Sequence, residues 1–175
     1  MNVSEAVAAD RSGHLEEAAN LYERAVGAGN ASLETLLNLA VLYWQVTDYG
    51  ISTALGLRKE FIDTAGRRFP EILARAEHEH PASGEVKFWR RYIRWADLGE
   101  SLTSEDCASF MEREPSVLTP AMHIYAQSGG AEAEASAMEL LRRCKDDGTT
   151  RARYVYSVID GVRRRRSRGV SRQRP

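Results

Sequence analysis

Apolar residues recur every three or four positions along most of this 175-residue chain. That spacing matches an α-helix with one buried face, and it differs from the alternation of a half-buried strand. Glycine and proline fall mainly between the periodic segments, where they end helices. The pattern predicts an all-α fold of nine or ten helices, with short loops that place successive helices antiparallel.

Start and stop signals set the limits of the predicted helices. Ser32 and Asp48 are placed to cap the third and fourth helices, because a short polar side chain can accept a hydrogen bond from a free N–H of the first turn. Pro70 suits the first turn of the fifth helix. Three glycines weaken the helical pattern of the fourth helix. The ten predicted helices cover residues 3–11, 15–27, 33–46, 50–67, 70–79, 85–98, 104–114, 120–127, 131–146 and 150–164.

Residues 13–49 carry a more specific pattern. Gly13 lies at a predicted turn, and Ala18, Tyr22 and Ala25 then form a small–aromatic–small face on one helix. The next helix has a matching large–Leu–small–aromatic series. One repeat period of about 34 residues after Gly13, a second turn is followed by an aromatic residue. The residues of that second series and turn are Leu36, Leu39, Ala40, Tyr43, Thr47, Asp48 and Tyr49.

This pattern resembles the tetratricopeptide repeat, over about residues 13–49 only. After Tyr49 the register fails, because Ser52 and Gly56 occupy the positions of the small and aromatic residues. We therefore expect an irregular stack of antiparallel helical hairpins, a tetratricopeptide-like α-solenoid. It would form one domain over residues 1–162, followed by a basic, disordered tail over 163–175.

The resemblance implies a concave surface that binds peptides or partner helices. Trp44 and Leu37 are candidate anchors, since aromatic residues dominate interface hot spots. Asn38 matches a family position that often hydrogen-bonds the backbone of the ligand. The alternative is that Trp44 and Leu37 pack against a neighbouring helix. The predicted partner-binding residues are Glu34, Leu37, Asn38, Val41, Trp44 and Gln45.

The net charge of −1 is near neutral, but basic and acidic residues are distributed unevenly along the chain. Residues 163–175 contain seven arginines and no acidic residue, so the rest of the chain is acidic. Three interpretations of the tail are possible. It contacts the phosphates of a nucleic acid or a membrane, it contacts the acidic body or an acidic partner, or it only makes the end of the chain soluble. The candidate phosphate-contacting or acidic-partner-contacting residues are Arg90, Arg91, Arg94, Arg163, Arg164, Arg165 and Arg166.

The segment 87–95, KFWRRYIRW, interleaves aromatic and basic side chains. Such interleaving can stack bases and contact phosphates. Helical geometry instead places Phe88, Tyr92 and Trp95 on one stripe and the basic residues on the opposite face. This arrangement favours a core helix with a basic outer side, which could also contact a partner.

The sequence contains few features that are typical of an enzyme or of a metal-binding protein. The common catalytic motifs are absent, so we predict no enzyme and no cofactor. His78 and His80 are two residues apart, so on a helix they point to different sides and do not form a metal site. Cys107 and Cys144 are expected to be reduced, buried thiols. No segment is long and apolar enough to span a membrane, and the first residues do not resemble a secretion signal, so we expect a cytoplasmic protein.

Together these features predict a non-enzymatic protein–protein interaction module. The residue usage looks bacterial, and the acidic body suits a basic protein partner. An inhibitor of a basic toxin (an immunity protein), a chaperone or an adaptor would fit, and a homo-oligomer is compatible with the sequence. The alternative is a nucleic-acid-associated helical protein that uses the arginine-rich helix and tail.

Overall fold

A computed structural model of the chain describes residues 3–29 and 31–171, with side chains positioned up to Arg168. Throughout those residues the regular structure is α-helical and contains no strand, so the all-α prediction is confirmed. The helices are α1 (Val3–Arg11), α2 (Leu15–Gly27), α3 (Leu33–Val46), α4 (Tyr49–Ala54), α5 (Lys59–Glu79), α6 (Gly84–Leu98), α7 (Ser104–Arg113), α8 (Pro120–Gln127), α9 (Glu134–Asp147) and α10 (Thr150–Ser171).

The helices form two compact units, whereas the sequence predicted one domain over 1–162. Unit 1 holds the chain up to Pro81 together with Gly148–Arg151, and unit 2 holds Ala82–Asp147 together with the chain from Ala152 onward. The loop after α5 is as short as the other loops, and α10 begins in unit 1 and continues in unit 2. Each junction contains a residue typical of boundaries, Pro81 in the first and Gly148 in the second, but both are too short to read as linkers in the sequence.

Helix α3 is the central helix of unit 1. It packs against α2 and α5, and α1 packs against α2. Eleven of the 14 residues of α3 are buried, which is why its sequence is apolar on nearly every side. The small–aromatic face of α2 is buried as predicted, with Ala18 and Tyr22 fully inaccessible to solvent.

The register break after Tyr49 corresponds to a short insertion. α4 has only six residues, and Gly56 then turns the chain with a positive φ of 61°. The small–aromatic spacing of Ala18 and Tyr22 returns beyond it on α5, as Ala65 and Phe69. The hairpin partner of α3 is therefore α5, and α4 occupies the loop between them.

The predicted boundary between helices at 50–67 and 70–79 is wrong. The structure has one helix, α5, over the whole of Lys59–Glu79, with Pro70 in its interior. Proline lacks the N–H that would bond the carbonyl of Gly66, one turn earlier. Both Pro70 and Gly66 are exposed, so water can bond that carbonyl and the helix continues.

Capping interactions fix several helix starts where the sequence placed them. The Ser32 hydroxyl accepts a hydrogen bond from the Thr35 backbone at 3.2 Å, and the Asp48 carboxylate accepts one from the Ile51 backbone at 3.0 Å. Thr103 and Asp106 form a reciprocal capping box at the start of α7.

An aromatic cluster forms much of the core of unit 2. Phe88, Trp89 and Tyr92 of α6 are buried, which confirms that this face of the helix is structural. The hydroxyls of Tyr92 and Tyr154 lie 2.7 Å apart, within hydrogen-bonding distance. Trp95 is half-buried at the edge of the cluster.

The predicted disordered tail over 163–175 is helical in its described part. α10 continues to Ser171, and residues 172–175 lie outside the described residues. Arginine favours helix, and the carboxylate of Asp160 pairs with Arg163 and Arg164 one turn later. These interactions extend the helix beyond Val162, the last buried residue among those whose side chains the structure describes.

Candidate interaction surfaces

The apolar members of the predicted groove on α3 are buried. Leu37 is 1% exposed, Val41 is inaccessible and Trp44 is 7% exposed. A partner cannot reach these side chains in this conformation, and the alternative of helix packing describes them better. Of the six predicted partner-binding residues, only Glu34 is exposed, while Gln45 is half-buried.

Two polar members of that groove, Glu34 and Asn38, contact the chain's own Arg151. The Arg151 Nε donates to the side-chain oxygen of Asn38 at 2.8 Å, and its Nη2 donates to the carboxylate of Glu34 at 2.9 Å. All three residues belong to unit 1. The structure therefore brings Glu34 and Asn38 together around an internal arginine, and a ligand would have to displace that arginine to bind them.

Asp10 binds the first turn of α10 beside this arginine. Its carboxylate accepts hydrogen bonds from the Thr150 backbone N–H at 2.9 Å and from the Thr150 hydroxyl at 2.6 Å. The Tyr22 hydroxyl donates to its other oxygen at 3.3 Å. A buried carboxylate at a helix N-terminus is stabilised by the helix dipole as well as by these donors. This contact joins residues far apart in the chain and could not be predicted from the sequence.

Two of the basic residues predicted on α6 are paired with carboxylates. Arg91 makes two contacts to Asp106, at 2.7 and 2.8 Å, and Arg94 makes two to Glu100, at 2.5 and 2.8 Å. These arginines hold the pKa of Asp106 and of Glu100 below their usual range, so the pairs stay ionised near neutral pH. Arg90 is exposed. The basic face of α6 is therefore largely compensated by charge within unit 2.

The arginines at the end of α10 divide into two groups. Arg163 and Arg164 contact Asp160 at 2.7 and 2.5 Å, and Arg166 contacts the Gly130 carbonyl oxygen at 2.6 Å. Arg165 and Arg168 form no ion pair with any residue that the structure describes. All five side chains are exposed, so this end of the helix remains strongly basic.

The exposure of two large apolar side chains at the two ends of α4 was not predicted from the sequence. Tyr49 is 84% exposed and Leu55, at the C-cap, is 55% exposed, while Ile51 between them is half-buried. We define these three residues as the α4 knob. Tyr49 was assigned to a repeat turn because its spacing fits one. The failed register just after it was the signal that the turn is not an ordinary one.

Two groups with catalytic potential in other proteins are buried in unit 2. The Nε2 of His123 lies 2.9 Å from the Leu102 carbonyl oxygen, so the neutral ring carries its proton on Nε2 and donates it there. Burial lowers the pKa of His123, and burial raises the pKa of the Cys107 thiol to about 12. A protonated, inaccessible thiol is a poor nucleophile. Both groups act here as core residues.

One shallow pocket of about 150 Å³ lies in unit 2 near the start of α6. Lys87, Phe110 and Arg113 line it, and the Glu114 carboxylate there accepts a hydrogen bond from the Gly84 backbone at 2.7 Å. Its volume is below the range of roughly 300–1,000 Å³ typical of small-molecule sites. The Glu114 carboxylate also already accepts the hydrogen bond from the backbone N–H at the helix start, so this donor is not available to a ligand.

The described residues contain neither a cluster of metal ligands nor a membrane-spanning helix. Within 3–29 and 31–171, no three His, Cys, Asp or Glu side chains converge as a metal site would require. None of the helices described there combines the length and the apolar character needed to cross a bilayer.

Comparison with known proteins adds no assignment. The chain matches no protein-family model, no curated protein and no solved structure. The proposals that follow therefore rest on the geometry of this chain alone.

Proposed function

We propose that the protein is a non-enzymatic protein-binding module that contacts its partner through the α4 knob. The observation that carries the proposal is the exposure of Tyr49 and Leu55 on a six-residue insertion between two packed helices. Tyrosine is enriched at interface hot spots because it buries a large apolar ring and keeps a polar tip. The resemblance to tetratricopeptide repeats, proteins that act as interaction scaffolds, supports the same class of function.

The proposed partner is a basic protein with an apolar pocket for Tyr49. Residues 1–81 contain 12 acidic and 7 basic residues, so the chain around the knob favours a basic partner. Complementary charge would raise the association rate, while the buried aromatic anchor would supply the affinity. An inhibitor of a basic toxin, a chaperone and an adaptor are the specific roles that this chemistry fits.

The proposal is tested by placing a photocrosslinking amino acid at position 55 in living cells. The captured protein is identified by mass spectrometry, and its binding is then measured with purified components. Tyr49→Ala should weaken binding by about 2 kcal/mol, roughly 30-fold in Kd. It should leave folding stability within about 0.5 kcal/mol, because the side chain is mostly exposed.

Leu98→Ala is the matched control, because Leu98 is 69% exposed but lies in unit 2. An equal loss of affinity in Tyr49→Ala and Leu98→Ala would count against the α4 knob. Sedimentation of the purified protein provides a second arm. A dimer that dissociates in Tyr49→Ala would show that the knob binds another copy of this chain instead of a basic protein.

A further inference from the structure

The end of α10 presents a row of exposed arginines. The buried side of this helix is set by Val155, Ile159 and Val162, which are at most 3% exposed. With 3.6 residues per turn, Arg164 and Arg168 lie on the opposite side and Arg165 lies on the flank next to Arg168, and all three side chains are exposed. Arg168 follows Arg165 by three residues and Arg164 by four, so it neighbours both of them on the helix surface, one turn later.

Two members of this row are not paired with a carboxylate among the described residues. Arg164 shares Asp160 with Arg163, whereas Arg165 and Arg168 have no carboxylate partner in the part of the chain that the structure describes. No acidic residue follows Asp160 in the sequence, so the positive charge continues along the chain. Arg165 and Arg168 therefore offer donors that a ligand can engage without breaking an ion pair within the described residues.

The chemistry of the row favours phosphate over a protein surface. Residues 163–168 are RRRRSR and are all exposed, so this segment has no apolar side chain. A protein interface needs an apolar core to supply affinity, and stable membrane attachment needs an apolar anchor besides basic charge. Contacts to a nucleic-acid backbone need only positive charge and hydrogen-bond donors, and the guanidinium group binds phosphate with two parallel hydrogen bonds.

We propose that the solvent-facing row Arg164, Arg165 and Arg168 of α10 binds the phosphodiester backbone of a nucleic acid without reading its sequence. This surface is separate from the α4 knob and does not depend on protein binding there. It also ranks the candidate phosphate contacts: Arg91, Arg94 and Arg166 are held by carboxylates or a carbonyl oxygen. Arg164 shares the single carboxylate of Asp160 with Arg163 and so remains only partly compensated.

The test measures binding of the full-length protein to a short labelled duplex of random sequence, and to a single-stranded RNA of the same length, by fluorescence anisotropy. The logarithm of the binding constant should fall linearly with the logarithm of salt concentration. In Arg165→Gln/Arg168→Gln the slope should become shallower by about 1.8 on the duplex, which corresponds to about tenfold less change in affinity between 50 and 200 mM salt. Glutamine keeps helix propensity, and circular dichroism confirms that α10 is intact.

The matched control is Arg24→Gln/Arg67→Gln, which removes the same charge from exposed positions in unit 1. It should leave the slope unchanged, and Arg165→Lys/Arg168→Lys should retain most of the salt dependence. The proposal is overturned if neither nucleic acid binds at low salt, or if the control pair loses as much affinity as the α10 pair. Tighter binding to phosphatidylserine vesicles or to polyglutamate, lost in Arg165→Gln/Arg168→Gln, would overturn it in favour of a membrane or an acidic protein. Preference between duplex and RNA identifies the nucleic acid.

Discussion

The carboxylate of Asp10 accepts hydrogen bonds from both the backbone N–H and the hydroxyl of Thr150, 140 residues later in the chain. Asp10 is inaccessible to solvent, and the Tyr22 hydroxyl donates to its second oxygen. Asp10→Ala removes the acceptor of these buried hydrogen bonds. We expect it to lower the free energy of unfolding by about 3 kcal/mol or more.

Chemical denaturation of the purified variants measures this loss. Tyr22→Phe removes only one donor and should cost about 1 kcal/mol. If Asp10→Ala is no more destabilising than Tyr22→Phe, the two hydrogen bonds to Thr150 do not stabilise the fold.

Buried His123 should make stability depend on pH. Its pKa in the folded protein is below the ordinary value of about 6.5, because burial disfavours the charged ring. The unfolded chain therefore binds a proton at higher pH than the folded one. Stability should fall as the pH is lowered through about 6.5 and continue to fall until the folded-state pKa is reached.

Melting temperatures between neutral and mildly acidic pH measure this effect. His123→Gln should be less stable at every pH but should show a shallower decline than the wild type. Replacement of exposed His78 by glutamine serves as the control and should leave the decline as it is. A decline of the same steepness in His123→Gln would assign the pH dependence to other groups.

The Cys107 thiol should be unreactive in the folded protein. It is inaccessible to solvent, and its pKa is raised to about 12 by burial and by the nearby carboxylate of Asp106. Almost no thiolate is present at pH 8, and a disulfide reagent cannot reach it. Ellman's reagent with a Cys144→Ser variant should report slow labelling under native conditions and stoichiometric labelling in denaturant. Rapid labelling of the folded variant would contradict the buried position.

Pro70 should cost stability at its position inside α5. Alanine at this site restores the hydrogen bond to the Gly66 carbonyl and removes the clash of the proline ring with the preceding turn. We expect Pro70→Ala to raise the free energy of unfolding by about 1 kcal/mol or more, measured by chemical denaturation.

Pro120→Ala provides the comparison for Pro70. Pro120 occupies the first turn of α8, where proline fits, and it is buried. This variant should be neutral or destabilising. If both alanine variants change stability by the same amount and sign, helix position does not explain the effect of Pro70.

Local sequence signals were sufficient for most helices and for their caps. Ser32 and Asp48 accept the backbone hydrogen bonds that their positions predict, because capping is decided within four residues. Pro70 was misread because its effect on a helix depends on whether the freed carbonyl meets water, which the sequence does not record. The division into two units was missed because the continuous helix α10 belongs to both.

The candidate sites depended on contacts between distant residues. Burial of Leu37 and Trp44 and engagement of Asn38 by Arg151 follow from tertiary packing, so a repeat pattern on α3 could not separate an open groove from a filled one. The arginines were visible as a run of charge. Whether an arginine is paired depends on where the fold places Asp160 and Glu134 relative to it.

Because Gly148–Arg151 belongs with the first 81 residues, no single cut separates the two units. A fragment that ends at Pro81 would lack Thr150 and Arg151 and would leave Asp10 and Asn38 without those donors. Its misfolding could then be mistaken for loss of a binding site. Deletion mapping of partners would be misleading for this chain, and a synthetic peptide that spans the start of α10 is the natural reagent for restoring such a fragment by complementation.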